Sequence, residues 1–179
     1  TFFRTRLSEI IIFDFSGAID PATDPFGRMG GYLKTDGGVT QGIELVANLA
    51  PSRRFRLNAS YTLTDADPPP RVSEEQTQAF VVPRHQFSVV VTQGIGDRIT
   101  ITFDMVASSS YLAPIFDAAT FTTRVYRFEG YAKSDVVASY RIAPLRLFAK
   151  VENVFDQDIF ENGFRTPGRY ALAGVAFEF

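Results

Sequence analysis

The chain has 179 residues, 45% hydrophobic and 14% aromatic, with a net charge of −2 and neither Trp nor Cys. That charge balance argues against a nucleic-acid partner, which calls for a strongly basic face. The lack of Cys excludes a disulfide framework and thiolate metal sites, and no apolar run approaches the roughly 20 residues of a membrane helix.

The opening "TFFRTRLSEIIIF" reads as a strand already in progress, with no signal peptide before it, so the start of the protein is expected to lie upstream. Glu9 falls on its Phe3, Leu7, Ile11 face, where a bulge would re-aim it. From there the dominant period is two. "VTQGIELVANLA" alternates weakly; "RFRLNASYTLT" sets Phe55, Leu57, Ala59, Tyr61 and Leu63 against Arg54, Arg56, Asn58, Ser60, Thr62 and Thr64. "HQFSVVVTQ" is again weaker, and "RITITFDMVASSSY" opposes Ile99, Ile101, Phe103, Met105 and Ala107 to Thr100, Thr102, Asp104 and Ser108. "YAKSDVVASYRI" and "LRLFAKVENVF" follow the same scheme, and "RYALAGVAFEF" alternates to the terminal Phe179. The pattern predicts about eight strands, near 1–14, 31–50, 53–66, 79–93, 97–112, 124–142, 145–156 and 167–179. A tilted strand crosses a bilayer in about 9–11 residues, so most of these are long enough.

Connections alternate strictly between long and short. "APSRR", "GIGD" and "AP" are tight, whereas "FSGAIDPATDPFGRMGG", "DADPPPRVSEEQTQ", "APIFDAATFTTR" and "DQDIFENGFRTPG" are long. The long segments therefore gather at one end of the sheet, as in outer-membrane barrels with short periplasmic turns and long extracellular loops. The fold expected is an all-β, antiparallel, up-and-down transmembrane β-barrel, with apolar faces toward lipid, polar faces toward a wet lumen, and Phe179 at the periplasmic rim.

"VENVFDQDIFENGFRTPGRYALAGVAFEF" resembles the C-terminal end of TonB-dependent outer-membrane receptors. The matching positions are Asn153, Val154, Phe155 and Asp156, then Pro167, Gly168 and Arg169, then the strand closing on Phe179. Gly42 and Glu44 in "GGVTQGIELVANLAPSRRFRLNASYTLTDAD", the run Ala59 to Thr62, "PRHQFSV" and "YAKSDVVASYRI" also match in style. The resemblance implies a 22-stranded barrel with a plug domain inside it, of which this chain would supply the last eight strands. It further implies residence in the outer membrane of a Gram-negative bacterium and energised uptake of a scarce ligand, an iron–siderophore complex ahead of cobalamin or an oligosaccharide. Implied partners are the bilayer and lipopolysaccharide, a TonB-type energising complex acting through the absent N-terminal region, and the barrel-assembly machinery. Val175, Phe177 and Phe179 resemble the signal that this machinery reads.

Chemistry-bearing residues are few. His85 is the single histidine and suits a barrel-wall position better than a catalytic one. Asp65 with Asp67, and Asp20 with Asp24, read as turn formers rather than a Ca²⁺ loop. Ser108, Ser109 and Ser110 lack a positioned base. Gly94 and Gly96 suit a tight turn, and Glu74 and Glu75 a soluble loop. Nothing calls for a resident cofactor, a metal or an enzymatic role. Arg124, Tyr126, Arg127 and Arg165 stand in or beside outer loops, where they suit an anionic or aromatic ligand; generic loop polarity is the simpler alternative. Other readings are a complete eight-stranded structural or adhesion barrel, an outer-membrane hydrolase, and a soluble ligand-binding barrel with inverted polarity.

Overall fold

The computed structural model describes residues 1–14, 31–67, 82–120, 122–161 and 164–177. Eight strands form one antiparallel sheet: β1 (Phe2–Arg6), β4 (Val39–Ser52), β5 (Phe55–Asp67), β6 (His85–Ile95), β7 (Ile99–Ser108), β10 (Tyr131–Ile142), β11 (Leu145–Glu152) and β14 (Tyr170–Phe177). Their order across the sheet is their order in the chain, so the sheet is an up-and-down meander.

Three two-stranded ribbons extend it: β2 (Glu9–Asp14) with β3 (Gly31–Asp36), β8 (Tyr111–Asp117) with β9 (Thr122–Phe128), and β12 (Phe160–Glu161) with β13 (Phe164–Arg165). The segment around Glu9 is therefore a break between strands: β1 stops at Arg6, and Leu7 and Ser8 bond across to Gly38 and Gly37 before β2 begins. Likewise "APIFDAATFTTR", expected as open loop, is mostly ribbon. Here Pro114 sits in β8, a short outlying strand in which the missing N–H of proline is tolerated.

Register makes the two faces explicit. Leu49, Leu57, Val91, Phe103, Val136, Val151 and Ala171 stand side by side across seven strands. One residue along, on the opposite face, Asn48, Asn58, Val90, Asp104 and Asp135 form the corresponding row. Because side chains alternate with period two, one register fixes the polarity of the whole sheet. The polar face is not uniform, since Val90, Val137 and Leu172 lie on it. Toward the ribbon end the apolar face stops at Arg4, Gln41, Asp65 and His85, each two residues beyond Phe2, Ile43, Leu63 and Phe87. The tight turns lie at the other end. In one of them Gly96 has φ 60°, the left-handed region open to glycine; another holds a cis Ala143–Pro144 bond.

Two aromatic rings lie over cross-strand glycines on the polar face. A Cβ on Gly42 would come within 2.6 Å of Phe3 Cζ, and one on Gly174 within 2.6 Å of Phe148 Cζ. Among the described residues β1 pairs only with β4 and β14 only with β11. The alternative of a complete eight-stranded barrel is not met among the described residues, because closure requires a β1–β14 ladder and the sheet runs open from β1 to β14.

Candidate functional site

At the mouth of the β11–β14 hairpin the two C-terminal motifs are tied into one knot. Asn153 has φ 50°, a conformation that asparagine tolerates better than most residues. It is 1% exposed. Its Nδ2 donates to the carbonyls of Gln157 (2.9 Å) and Pro167 (3.3 Å), and its Oδ1 accepts from Gln157 N at 3.1 Å. The Asn153 N–H donates to Asp135 Oδ1 at 3.0 Å, reaching back to β10. Asp156, also at positive φ, accepts the Arg169 N–H at 2.7 Å. Asn153, Asp156, Pro167 and Arg169, matched in sequence as family motifs, thus act together as a fastener.

Beyond the knot, the β8–β9 and β12–β13 ribbons flank a cleft of about 440 Å³. Tyr126, Arg127, Phe128, Asp158, Ile159 and Phe160 contribute to its walls. Tyr111 stacks on Phe128 at 5.4 Å between ring centroids. Arg127 Nη2 donates to Ser110 Oγ at 3.1 Å, which braces the guanidinium at the base of the ribbon. A Cβ on Gly130 would stand 2.6 Å from the Ser108 carbonyl, so only glycine allows β9 to pass into β10 here.

The four residues expected to bind ligand separate into three situations. Tyr126 and Arg127 line the cleft. Arg165 is engaged by Asp158, its Nε donating to Oδ1 at 3.1 Å and its Nη2 closer still. That pairing raises the Arg165 pKa, and the pair stands beside the cleft through Asp158. Arg124 pairs in register with Ile115, toward the ribbon tip near Asp117, and does not line the cleft. Asp117 accepts the Ala119 N–H at 2.9 Å; this bond first, then the Thr120 hydroxyl, holds its carboxyl below the ordinary aspartate range.

His85 starts β6 on the apolar face, its Nδ1 2.8 Å from Tyr61 Oη, with the two rings stacked. The serines are structural: Ser108 Oγ donates to the Ser109 carbonyl, Ser109 Oγ accepts the His85 N–H, and Ser110 Oγ accepts Arg127. Asp65 lies within 3.5 Å of Gln41 Nε2, and Asp67 borders a groove beside Arg6. Gly94 N donates to the Arg54 carbonyl next to the Gly96 turn. Asp20, Asp24, Glu74, Glu75 and Phe179 lie outside the described residues, while Val175 and Phe177 are on the apolar face of β14.

Sequence reasoning missed a polar-face ion cluster in which Lys150 Nζ bridges Asp135 (3.2 Å) and Glu152 (2.7 Å). Its signal was the i, i+2 spacing of Lys150 and Glu152. It also missed Asp158, whose pairing with Arg165 has no sequence signature at seven residues' separation.

Comparison with known families matches residues 1–154 to the model described as TonB dependent receptor-like, beta-barrel. The chain belongs to the TonB-dependent receptor family. Among solved structures it is similar to the pyoverdine outer membrane receptor FpvA from Pseudomonas aeruginosa PAO1 bound to pyoverdine. Identity is 19%, TM-score 0.76, with 99% of this chain and 26% of that one covered. The ferric enterobactin receptor PfeA from Pseudomonas aeruginosa is 16% identical (TM-score 0.65, 98% and 28% covered). The siderophore receptor PirA from Acinetobacter baumannii is 13% identical (TM-score 0.64, 100% and 28% covered). At these identities the likeness is one of fold, and the chain spans about a quarter of the solved receptors' length. No curated protein sequence matches.

Proposed function

We propose that the chain is the C-terminal portion of the barrel of an outer-membrane transporter, which imports an iron–siderophore complex with energy from a TonB-type complex. The observation that carries this reading is the two-faced sheet bearing a ligand-sized cleft at its ribbon end. On β5, Phe55 to Leu63 give five outward apolar positions, about 27 Å along the strand, the length of one bilayer crossing. In this reading the apolar face meets lipid and lipopolysaccharide, and the polar face lines the lumen. The plug and the energy-coupling segment belong to the rest of the polypeptide.

An open sheet supports a larger barrel over a complete eight-stranded one. Unpaired edge N–H and C=O groups cost several kcal/mol each in hydrocarbon, so β1 and β14 call for further strands. For the ligand, Tyr126 and Phe160 offer aromatic faces and Arg127 a cation, a combination suited to a chelate with aromatic iron-binding arms and residual negative charge. Arg165 contributes less, since Asp158 already neutralises it.

The test is growth of a deletion strain on a panel of iron chelates, cobalamin and oligosaccharides, with and without the energising complex. Growth on an iron chelate should require both the receptor and that complex. If no nutrient requires both, the transporter reading fails.

A further inference from the structure

The cleft between the β8–β9 and β12–β13 ribbons has a charge balance that a purely anionic ligand does not explain. Three of its lining residues are charged at neutral pH: Arg127, Glu129 and Asp158. Asp158 is taken by Arg165, whose Nε donates to Oδ1 at 3.1 Å. Arg127 and Glu129 form no ion pair, with each other or with any other residue, among the described residues. With the Asp158–Arg165 pair satisfied, the cleft presents one guanidinium and one carboxylate.

Both groups are placed by the same short run of backbone. Arg127 Nη2 donates to Ser110 Oγ at 3.1 Å, a neutral acceptor that fixes the guanidinium without cancelling its charge. Glu129 leads directly into Gly130, where a Cβ would stand 2.6 Å from the Ser108 carbonyl oxygen and 3.1 Å from Ser110 N. The backbone that carries Glu129 is thus pressed against Ser108–Ser110, and the exposed carboxyl hangs from a fixed point. Two residues apart in the chain, the Cα atoms of Arg127 and Glu129 are separated by no more than about 7 Å. Tyr126, Phe128 and Phe160 share the walls with them, and Phe128 is stiffened by its stack on Tyr111.

We propose that the cleft selects an iron chelate bearing a protonated amine beside its anionic iron-binding groups, with Glu129 as the residue that reads the ammonium. The inference rests on the transporter reading above and narrows its ligand. Arg127 takes the anionic part of the chelate, and Glu129 accepts a charge-assisted hydrogen bond from the ammonium. The neighbouring aromatic faces add cation–π attraction for the same group. The carboxylate also repels a chelate that is anionic throughout, so it discriminates both by attraction and by repulsion. Its short distance from Arg127 suits an amine carried on a short alkyl arm next to the iron-binding groups. A glutamate that serves only to keep the strand end solvated would show no preference of this kind.

The test is equilibrium binding of radiolabelled ferric chelates to cells carrying the full-length receptor. Three classes are compared: chelates with a free primary amine, the same chelates N-acetylated, and chelates that never had an amine. A linear trihydroxamate and a lysine-based catecholate serve as the amine-bearing parents. Amine-bearing chelates should bind most tightly, and acetylation should weaken them by about tenfold. Glu129→Gln should close that gap. Glu129→Lys should reverse it in favour of the acetylated form, an inversion that a misfolded receptor, binding neither, does not produce. Equal binding of both forms, a gap that survives in Glu129→Gln, or tightest binding by an amine-free chelate overturns the proposal and leaves the transporter reading standing. If no iron chelate shows receptor-dependent binding, both fall.

Discussion

Asn153 and Pro167, fourteen residues apart, are joined by a hydrogen bond from the Asn153 side chain to the Pro167 carbonyl at 3.3 Å. With the side-chain bonds to Gln157 and the bond from its backbone N–H to Asp135, it draws β10, the connection after β11 and the entry to β14 onto one buried residue. Asn153→Ala should lower the stability of the folded full-length protein by about 2–4 kcal/mol, because buried partners lose their bonds and alanine tolerates the left-handed backbone less well than asparagine. Asn153→Asp should be worse, since it sets a carboxylate against two carbonyls. Urea midpoints of heat-modifiable gel migration measure both; a wild-type midpoint for Asn153→Asp would contradict the account.

The orientation of the sheet is tested by spin labels. Labels at Leu57, Ile101 and Ala138 should be reached by lipid-soluble oxygen, and labels at Asn58, Thr102 and Ser139 by polar relaxing agents. The two sets lie in adjacent registers of the same strands, so a reversed result would turn the sheet inside out.

The cleft yields a ranking among arginines. If the cleft takes the proposed iron chelate, Arg127→Ala and Tyr126→Ala should each weaken its binding by about tenfold, equivalent to about 1.4 kcal/mol. Arg165→Ala should have a smaller effect, because Asp158 already occupies its guanidinium. Arg124→Ala should leave affinity near wild type. Equilibrium binding of the radiolabelled chelate to whole cells decides the order.

Asp117 gives a pH dependence. Its folded pKa lies below the ordinary value of 3.8, so the ordering it confers is complete above that value and is lost as the pH falls through the folded pKa. Protection of the Ala119 amide from exchange should therefore persist near neutrality and decline only below pH 3.8. In Asp117→Asn, that pH-dependent step should vanish.

Deleting Phe179, or changing it to Asp, should reduce the amount of full-length protein inserted in the outer membrane. A charge near the interface would cost only about 0–1 kcal/mol, so on this proposal the loss would come mainly from recognition by the assembly machinery. Quantitative blotting of outer-membrane fractions should show the decrease for both variants.

The strands were legible because their alternation is strict or nearly so wherever one face is apolar, as in Phe55 to Thr64, or in Ile99 to Ser108 with Val106 the one exception. The ribbons were obscured for a local reason. Pro114 and the Ala-Ala-Thr run at 118–120 carry turn chemistry, while the alternation of Tyr111 to Asp117 has few polar positions to mark it. The cleft was half legible: Arg and aromatic residues in outer connections pointed to it, but which arginine is already engaged depends on Asp158, a contact made only after β12 and β13 pair. The inner-wall ion cluster was hidden for a similar reason, since Asp135 and Lys150 meet only through the β10–β11 register.

The rings of Phe3 and Phe148 sit over Gly42 and Gly174 in the outermost strand pairs of the sheet. A slide by one residue would throw each ring to the opposite face. A slide by two would drive Phe3 against Thr40 or Glu44, and Phe148 against Leu172 or Ala176, where side chains already fill the space. Each outer hairpin therefore has a single admissible phase. In the larger barrel proposed above, a strand added beside β1 or β14 would take its alignment from an edge whose own phase these two rings have already set.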